Sequence, residues 1–162
     1  MKIMMLLLAV VFASLVVPVS ALAQAKPDFS GAWKMDPLRS ESAAQAEPIG
    51  PVTLVIAQTP NDLRVETTRA EGKSAVTYKL DGSTVMVAAG TSVTHWDGPK
   101  LVTESVLSVN GATVTTTETR TLSPDGKELH VDRAVVVQHG YPDTLKGTQN
   151  YAAGKDVYVR VP

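Results

Sequence analysis

The chain contains no cysteine. That excludes a disulfide scaffold, thiolate zinc or iron–sulfur sites, thiol catalysis and a lipid anchor attached through cysteine. Aromatic residues make up only 5% of the 162 residues, with two Trp and two Phe, which is little for a ring-lined ligand cage. Charge of one sign is also missing: 15 Lys+Arg face 16 Asp+Glu, a formal net charge of −1. A nucleic-acid groove draws its affinity from clustered Lys and Arg, so nucleic acid is excluded as a partner. The 11 glycines are scattered, and none builds a phosphate-cradling loop or a strand-to-helix nucleotide motif. No Gly-x-Ser-x-Gly elbow accompanies the Ser, His and Asp residues. The composition therefore points to no cofactor.

Apolar residues run unbroken only near the start. Met1-Lys2 supplies one positive charge, and Ile3 to Ala13 is wholly apolar, continuing after Ser14 through Val17. Pro18 and Ser20 break the run, and Ala21-Leu22-Ala23 and Ala23-Gln24-Ala25 are small-x-small patterns. Charge, apolar stretch and small-residue site in this order read as a secretory signal over 1–25, cleaved after Ala23 or Ala25. The run is short for a membrane span of about 20 residues. The expected product is one domain over 26–162, periplasmic or secreted, with no stable membrane insertion after cleavage.

From residue 26 onward the chain holds 17 Thr and 18 Val, both β-branched and both favouring extended backbone. Turn signals punctuate it at Pro60-Asn61-Asp62, Glu71-Gly72, Asp81-Gly82, Asp97-Gly98-Pro99, Asn110-Gly111, Pro124-Asp125-Gly126 and Ala153-Gly154-Lys155. Asn-Gly and Asp-Gly are strong hairpin signals because both positions tolerate positive φ. Strands are expected near 30–35, 52–58, 62–70, 74–80, 84–89, 91–96, 100–109, 112–122, 127–138, 146–151 and 156–161. Leu63, Val65 and Thr67 alternate with Arg64 and Glu66, and Val76, Tyr78 and Leu80 with Thr77 and Lys79. Leu129, Val131, Val135 and Val137 oppose His130 and Asp132. Such alternation marks sheets with one wet face. The one plausible helical stretch, Pro37 to Ala46, is short enough for one or two turns. Sequential hairpins of this kind predict an all-β, antiparallel up-and-down meander of about 8–10 strands, closed into a barrel to protect its edges.

Chemistry-bearing residues are few. His95, His130 and His139 form no pair at metal-ligand spacing, so no metal site is expected. No catalytic group stands out. On 112–122, Thr113, Thr115, Thr117, Thr119 and Thr121 form one face, and Val114, Thr116, Glu118, Arg120 and Leu122 the other. If Leu122 points inward with Leu129 and Val131, then Glu118 and Arg120 do too, and Arg133 joins them. Buried charges of this kind must pair or line a wet cavity. The alternatives are a Thr face turned inward, or charges at the barrel mouth.

Asp28-Phe29-Ser30-Gly31-Ala32-Trp33, Asp36-Pro37-Leu38-Arg39-Ser40, Trp96-Asp97-Gly98-Pro99-Lys100-Leu101, Leu122-Ser123-Pro124-Asp125-Gly126-Lys127-Glu128-Leu129 and the final Val157-Tyr158 occur in that order. The ordered set resembles a family of secreted bacterial lipocalin-like proteins of unknown function. The resemblance implies a calycin-type barrel, the architecture of lipocalins and fatty-acid-binding proteins. In such barrels a Gly-x-Trp opens the first strand. Its Trp plugs one end, its Gly lets a neighbouring backbone approach, and an Arg from the last strand covers the Trp. By that resemblance Gly31, Trp33 and Arg160 form the plug. Fatty-acid-binding proteins end in Arg-x-Tyr, which holds a ligand carboxylate, whereas this chain has the reverse order, Tyr158-x-Arg160.

These observations lead to an expectation of a non-enzymatic binding protein of the cell envelope. Its barrel would hold a small apolar or amphipathic molecule near Tyr78, Glu118, Arg120 and Arg133. The alternative is a filled barrel serving as a structural or protein-interaction module. A third reading is a small barrel enzyme using an inward carboxylate such as Glu118 as base.

Overall fold

The computed structural model describes residues 26–44, 50–88, 90–139 and 149–162. The expected export signal over 1–25 lies outside them, as do the end of the expected helical stretch and the beginning of the expected strand at 146–151. Ten antiparallel strands form one sheet. In chain order they are β1 (Gly31–Met35), β2 (Thr53–Gln58), β3 (Asp62–Arg69), β4 (Gly72–Lys79) and β5 (Thr84–Val87), then β6 (Gly90–Asp97), β7 (Lys100–Val109), β8 (Ala112–Leu122), β9 (Glu128–Gln138) and β10 (Gln149–Val161). Their order in the sheet is β4-β3-β2-β1-β10-β9-β8-β7-β6-β5. The meander thus wraps round until β10 pairs with β1, and the two ends of the sheet, β4 and β5, are neighbours in sequence. Gly82 N donates to Thr94 O at 3.1 Å where β4 passes β6. The result is a nearly closed barrel, as the run of hairpin signals predicts.

Turn chemistry explains most of the hairpins. Asn110 and Gly111 both have positive φ, 50° and 81°, the pairing that a two-residue hairpin with matching twist requires. One turn reading fails. Ala153-Gly154-Lys155 lies within β10, opposite Ala134, Arg133 and Asp132 of β9. Gly154 is not among the positive-φ glycines. Its bare Cα instead faces the Glu41 carboxylate, 3.6 Å from where a Cβ would stand, and Lys155 N donates to the same carboxylate at 3.2 Å. The 3.6 Å separation is an ordinary contact, so the glycine marks neither a bend nor a close approach, and the two expected last strands are one.

The expected helical region supplies only a short 3-10 turn, Glu41–Ala44. Its connection lies along β10. Asp36 N donates to Val157 O at 2.8 Å. Ser40 Oγ then accepts from Val157 N at 3.0 Å and donates to Val157 O at 3.2 Å. Side chain and backbone thus take over where β1 ends, and the connection is pinned beside the barrel mouth.

The core gathers at one end. Phe29, Trp33, Leu63, Leu101 and Leu129 are fully enclosed, with Met35, Leu54, Ile56, Val65, Leu80 and Val131 next to them. Trp33 Nε1 donates to Phe29 O at 3.0 Å, so its one polar atom is satisfied. The Arg160 guanidinium lies 4.2 Å from the Trp33 ring centre. It also donates to Ser30 O at 2.7 Å and to Gly126 O at 3.0 Å. Gly31 has φ 136°, and a Cβ there would meet Arg160 Nη1 at 2.5 Å. The expectation that Gly31 admits a neighbouring backbone needs correction: what crosses it is the Arg160 side chain. Gly31→Ala is expected to cost about 1–3 kcal/mol through backbone strain and a displaced guanidinium, read as a lower denaturant midpoint. Trp96 is the more exposed of the two tryptophans but stacks on Phe29, with ring centres 6.0 Å apart.

Candidate functional site

Strand alternation places β8 unambiguously. Glu118 pairs with Arg133 and Thr103, and Arg120 with Val131 and Leu101, whose side chains belong to the interior. The Thr row faces outward, and the alternative of a Thr-lined lumen is excluded. Leu122 and Leu129, directly opposite one another, set this phase. The same alternation on β10 turns Asp156 and Tyr158 inward, opposite Val131 and Leu129.

Above the apolar plug these residues surround a cavity of about 210 Å³. Tyr78, Glu118, Arg120 and Arg133, the four residues singled out from the sequence as ligand-binding, all line it. So do Tyr158, Thr67, Ser74, Arg69 and the apolar Val52, Leu54, Val65, Val76 and Val131. The plug residues Gly31, Trp33 and Arg160 lie outside its wall. The reversed order Tyr158-x-Arg160 therefore has a structural consequence: the tyrosine enters the cavity and the arginine stays at the plug.

The charged groups form a chain. Arg133 Nε and Nη2 both donate to Glu118 Oε1, at 3.1 and 2.9 Å. Arg120 Nη2 donates to Glu118 Oε2 at 2.5 Å and Nη1 to Thr103 Oγ1 at 3.1 Å. Thr103 Oγ1 in turn meets Thr94 Oγ1 at 3.0 Å. Arg133 Nη1 lies 3.5 Å from Asp156 Oδ2. Asp156, 2% exposed, accepts from Ser42 N at 3.0 Å and Ser42 Oγ at 2.6 Å, so the chain reaches the β1–β2 connection. The Arg120 guanidinium also lies 5.7 Å from the Tyr78 ring centre.

One donor is left over. Arg120 Nε is buried and has no hydrogen-bond partner among the described residues. A charged N–H held away from water without an acceptor is costly, and this one belongs to a residue of the cavity wall.

Burial alone would raise the Glu118 carboxyl pKa, but the charges of Arg120 and Arg133 and their hydrogen bonds outweigh it and hold it below the ordinary value. Glu118 is therefore ionised at neutral pH, with both oxygens occupied. A carboxylate depressed in the folded state contributes stability above its unfolded pKa and loses it as pH falls through the folded value. Wild type and Glu118→Gln should accordingly differ in stability by a constant amount near neutral pH. The difference should shrink progressively below about pH 4.3, the ordinary glutamate value, in urea titrations at stepped pH. Burial pushes the Tyr158 hydroxyl up to about 12, aided by the Asp156 charge. Tyr78 is also raised, chiefly by burial. Both are neutral hydrogen-bonding groups at physiological pH.

The histidines stand apart from this site. His95 is exposed, His130 Nε2 lies 3.3 Å from Glu128, and His139 Nε2 meets Asn150 at 3.2 Å. Among the described residues no group of three or more His, Asp or Glu is placed to hold a metal ion. No helix among them is long and apolar enough to cross a membrane.

Asp156, Tyr158 and Ser42 were not expected at the site. The first two share the period of two that ends at Arg160 within the expected strand 156–161, but that strand's sequence alone does not show which of its faces is buried. Ser42 is placed by tertiary packing and has no local signal.

Comparison with protein-family models gives no match, and comparison with curated proteins gives none. Solved structures do match. The fluorescent protein UnaG is 19% identical, with a TM-score of 0.53, over 82% of this chain and 97% of that one. Fatty-acid-binding protein 1 of Echinococcus granulosus is 12% identical at a TM-score of 0.56, over 83% and 98%. Apo lipid binding protein 8 of Caenorhabditis elegans is 11% identical at 0.56, over 82% and 95%. At these identities the likeness is one of fold: this chain has a barrel like that of the fatty-acid-binding proteins, within the calycin architecture.

Proposed function

We infer that this is a secreted or periplasmic lipocalin-like protein that binds a small amphipathic molecule in its barrel without transforming it. The observation that carries this reading is the cavity of about 210 Å³ above the closed plug, with polar groups of Tyr78, Tyr158 and Arg120 and apolar side chains in one wall. Leu54 on β2 and valines on β3, β4 and β9 would take the apolar part of the ligand, and Arg120, Tyr78 and Tyr158 its polar part. The fold likeness to proteins named for fatty-acid and lipid binding supports a barrel used as a container. The reversed Tyr158-x-Arg160 order and the small volume favour a compact ligand over a long-chain fatty acid.

The test is native mass spectrometry of protein purified from its own host. A copurified small molecule that Arg120→Met fails to retain supports the reading; protein that is uniformly ligand-free from that host opposes it. The same intact-mass spectrum tests export. The mature chain is expected to begin at Gln24 or Lys26, and recovery of the full 162 residues from washed membranes would overturn the secretory reading.

One observation favours the filled-barrel module. The cavity is smaller than the about 300–1,000 Å³ of pockets for drug-sized ligands. The enzymatic reading is weaker, because Glu118 has both oxygens on guanidinium groups and a lowered pKa, the opposite of a poised general base.

A further inference from the structure

This inference rests on the binding reading above and concerns what the cavity accepts. A barrel interior with two arginines invites a carboxylate ligand. Here that position is already taken by the chain itself. Glu118 receives Arg133 through two nitrogens and Arg120 through one. Asp156 lies 3.5 Å from the remaining Arg133 terminal nitrogen. Two carboxylates and two guanidiniums sum to zero. A ligand carboxylate would have to displace Glu118 or crowd against it, and like charges brought together away from water repel strongly. Arg69 also lines the cavity, but it is exposed, so solvent weakens a charge that still acts on Tyr158. What the interior still offers a ligand is uncharged: the hydroxyls of Tyr78, Tyr158, Thr67 and Ser74 in the cavity wall.

We propose that Glu118 is an internal counter-ion that determines specificity, excluding anionic ligands and fitting the cavity to a small uncharged amphiphile whose carbonyl or hydroxyl oxygen meets the neutral Tyr78 and Tyr158 hydroxyls of the wall. The ligand class is thus a short primary amide, alcohol, ketone or lactone rather than a fatty acid anion. Glu118→Gln leaves the cluster with one positive charge in excess and admits a carboxylate. Glu118→Gln combined with Arg133→Gln returns the sum to zero and restores the preference for the uncharged ligand.

The experiment is an amide-NMR titration of the purified protein at neutral pH with hexanamide and hexanoate, which share a chain length and differ in head-group charge. The wild type is expected to bind hexanamide at least about tenfold tighter than hexanoate, with shifts at Thr67, Tyr78 and Val131. Glu118→Gln is expected to reverse the order, and the double variant to restore it. Equal or tighter binding of hexanoate by the wild type overturns the counter-ion proposal while leaving a binding cavity in place. Hexanamide-selective wild type with the same ratio in Glu118→Gln overturns the role of Glu118. If neither probe binds any of the three proteins, the binding reading fails and this proposal fails with it. Should Glu118→Gln not fold, the wild type and the double variant still decide: both must prefer hexanamide.

Discussion

Trp33→Ala is expected to lose about 3–5 kcal/mol of folding stability, the range for a large aromatic removed from a closed core. Trp33 is fully enclosed, faces Leu54 and Arg160 across the neighbouring strands, and bonds Phe29 O through its ring nitrogen. Its removal opens a void at the end of the barrel where β1, β2 and β10 meet, and it strands the guanidinium stacked on it. A domain holding about 5–15 kcal/mol in all would be badly weakened. Arg160→Ala should cost less, about 0.5–2 kcal/mol for the ring contact, plus its bonds to Ser30 O and Gly126 O. Denaturant unfolding of both variants and of the double mutant measures the coupling. Non-additive losses are expected; simple addition would show that the Arg160 stacking contributes nothing, and a neutral Trp33→Ala would remove the plug from the account.

Glu118→Ala should cost about 3 kcal/mol, the lower end for breaking a buried ion pair. The loss comes from what remains: Arg120, side chain 6% exposed, and Arg133 face each other with only Asp156 as counter-charge. One-fifth of the Glu118 side chain is exposed, which lets some water reach the vacated site and keeps the cost from the top of the range. Replacing three members together, Glu118→Leu with Arg120→Met and Arg133→Met, should restore part of that stability, since apolar groups of similar size cost less than unpaired buried charge, while Asp156 keeps its Ser42 bonds but loses Arg133. The two variants, compared by thermal and urea unfolding, separate the roles of the cluster. If Glu118→Ala is as stable as wild type, the cluster is solvated and does not form the interior described here. If the triple variant is the less stable of the two, the cluster holds the barrel together and ligand binding is not needed to explain it.

The period-two alternation in Leu63–Thr67, Val76–Leu80 and Leu129–Val137 made the barrel legible, because one face of each strand had to be buried. Hairpin positions were legible where a turn demanded positive φ, as at Asn110-Gly111. Gly154 misled for a physical reason: glycine adopts extended backbone as well as a turn, and what keeps it extended is its pairing with Arg133 on another strand. The inward face of β8 could not be fixed locally, since Thr and charged residues both occupy wet surfaces. It became fixed only through the pairing of Leu122 with Leu129. Three of the four acidic and basic members of the site were visible on β8 and β9. Asp156 was not, because its partner Ser42 arrives with a connection that has no periodic pattern of its own.

The central claim is that the cavity is a site for a small uncharged ligand. A crystal structure of the protein purified from its own host, without added ligand, tests it most directly. The account predicts continuous density for a small uncharged molecule between Val65, Val131 and Tyr78, with an oxygen about 2.5–3.0 Å from the Tyr78 or Tyr158 hydroxyl. A cavity filled by side chains, or holding only ordered water, would contradict it and leave the filled barrel as the better description.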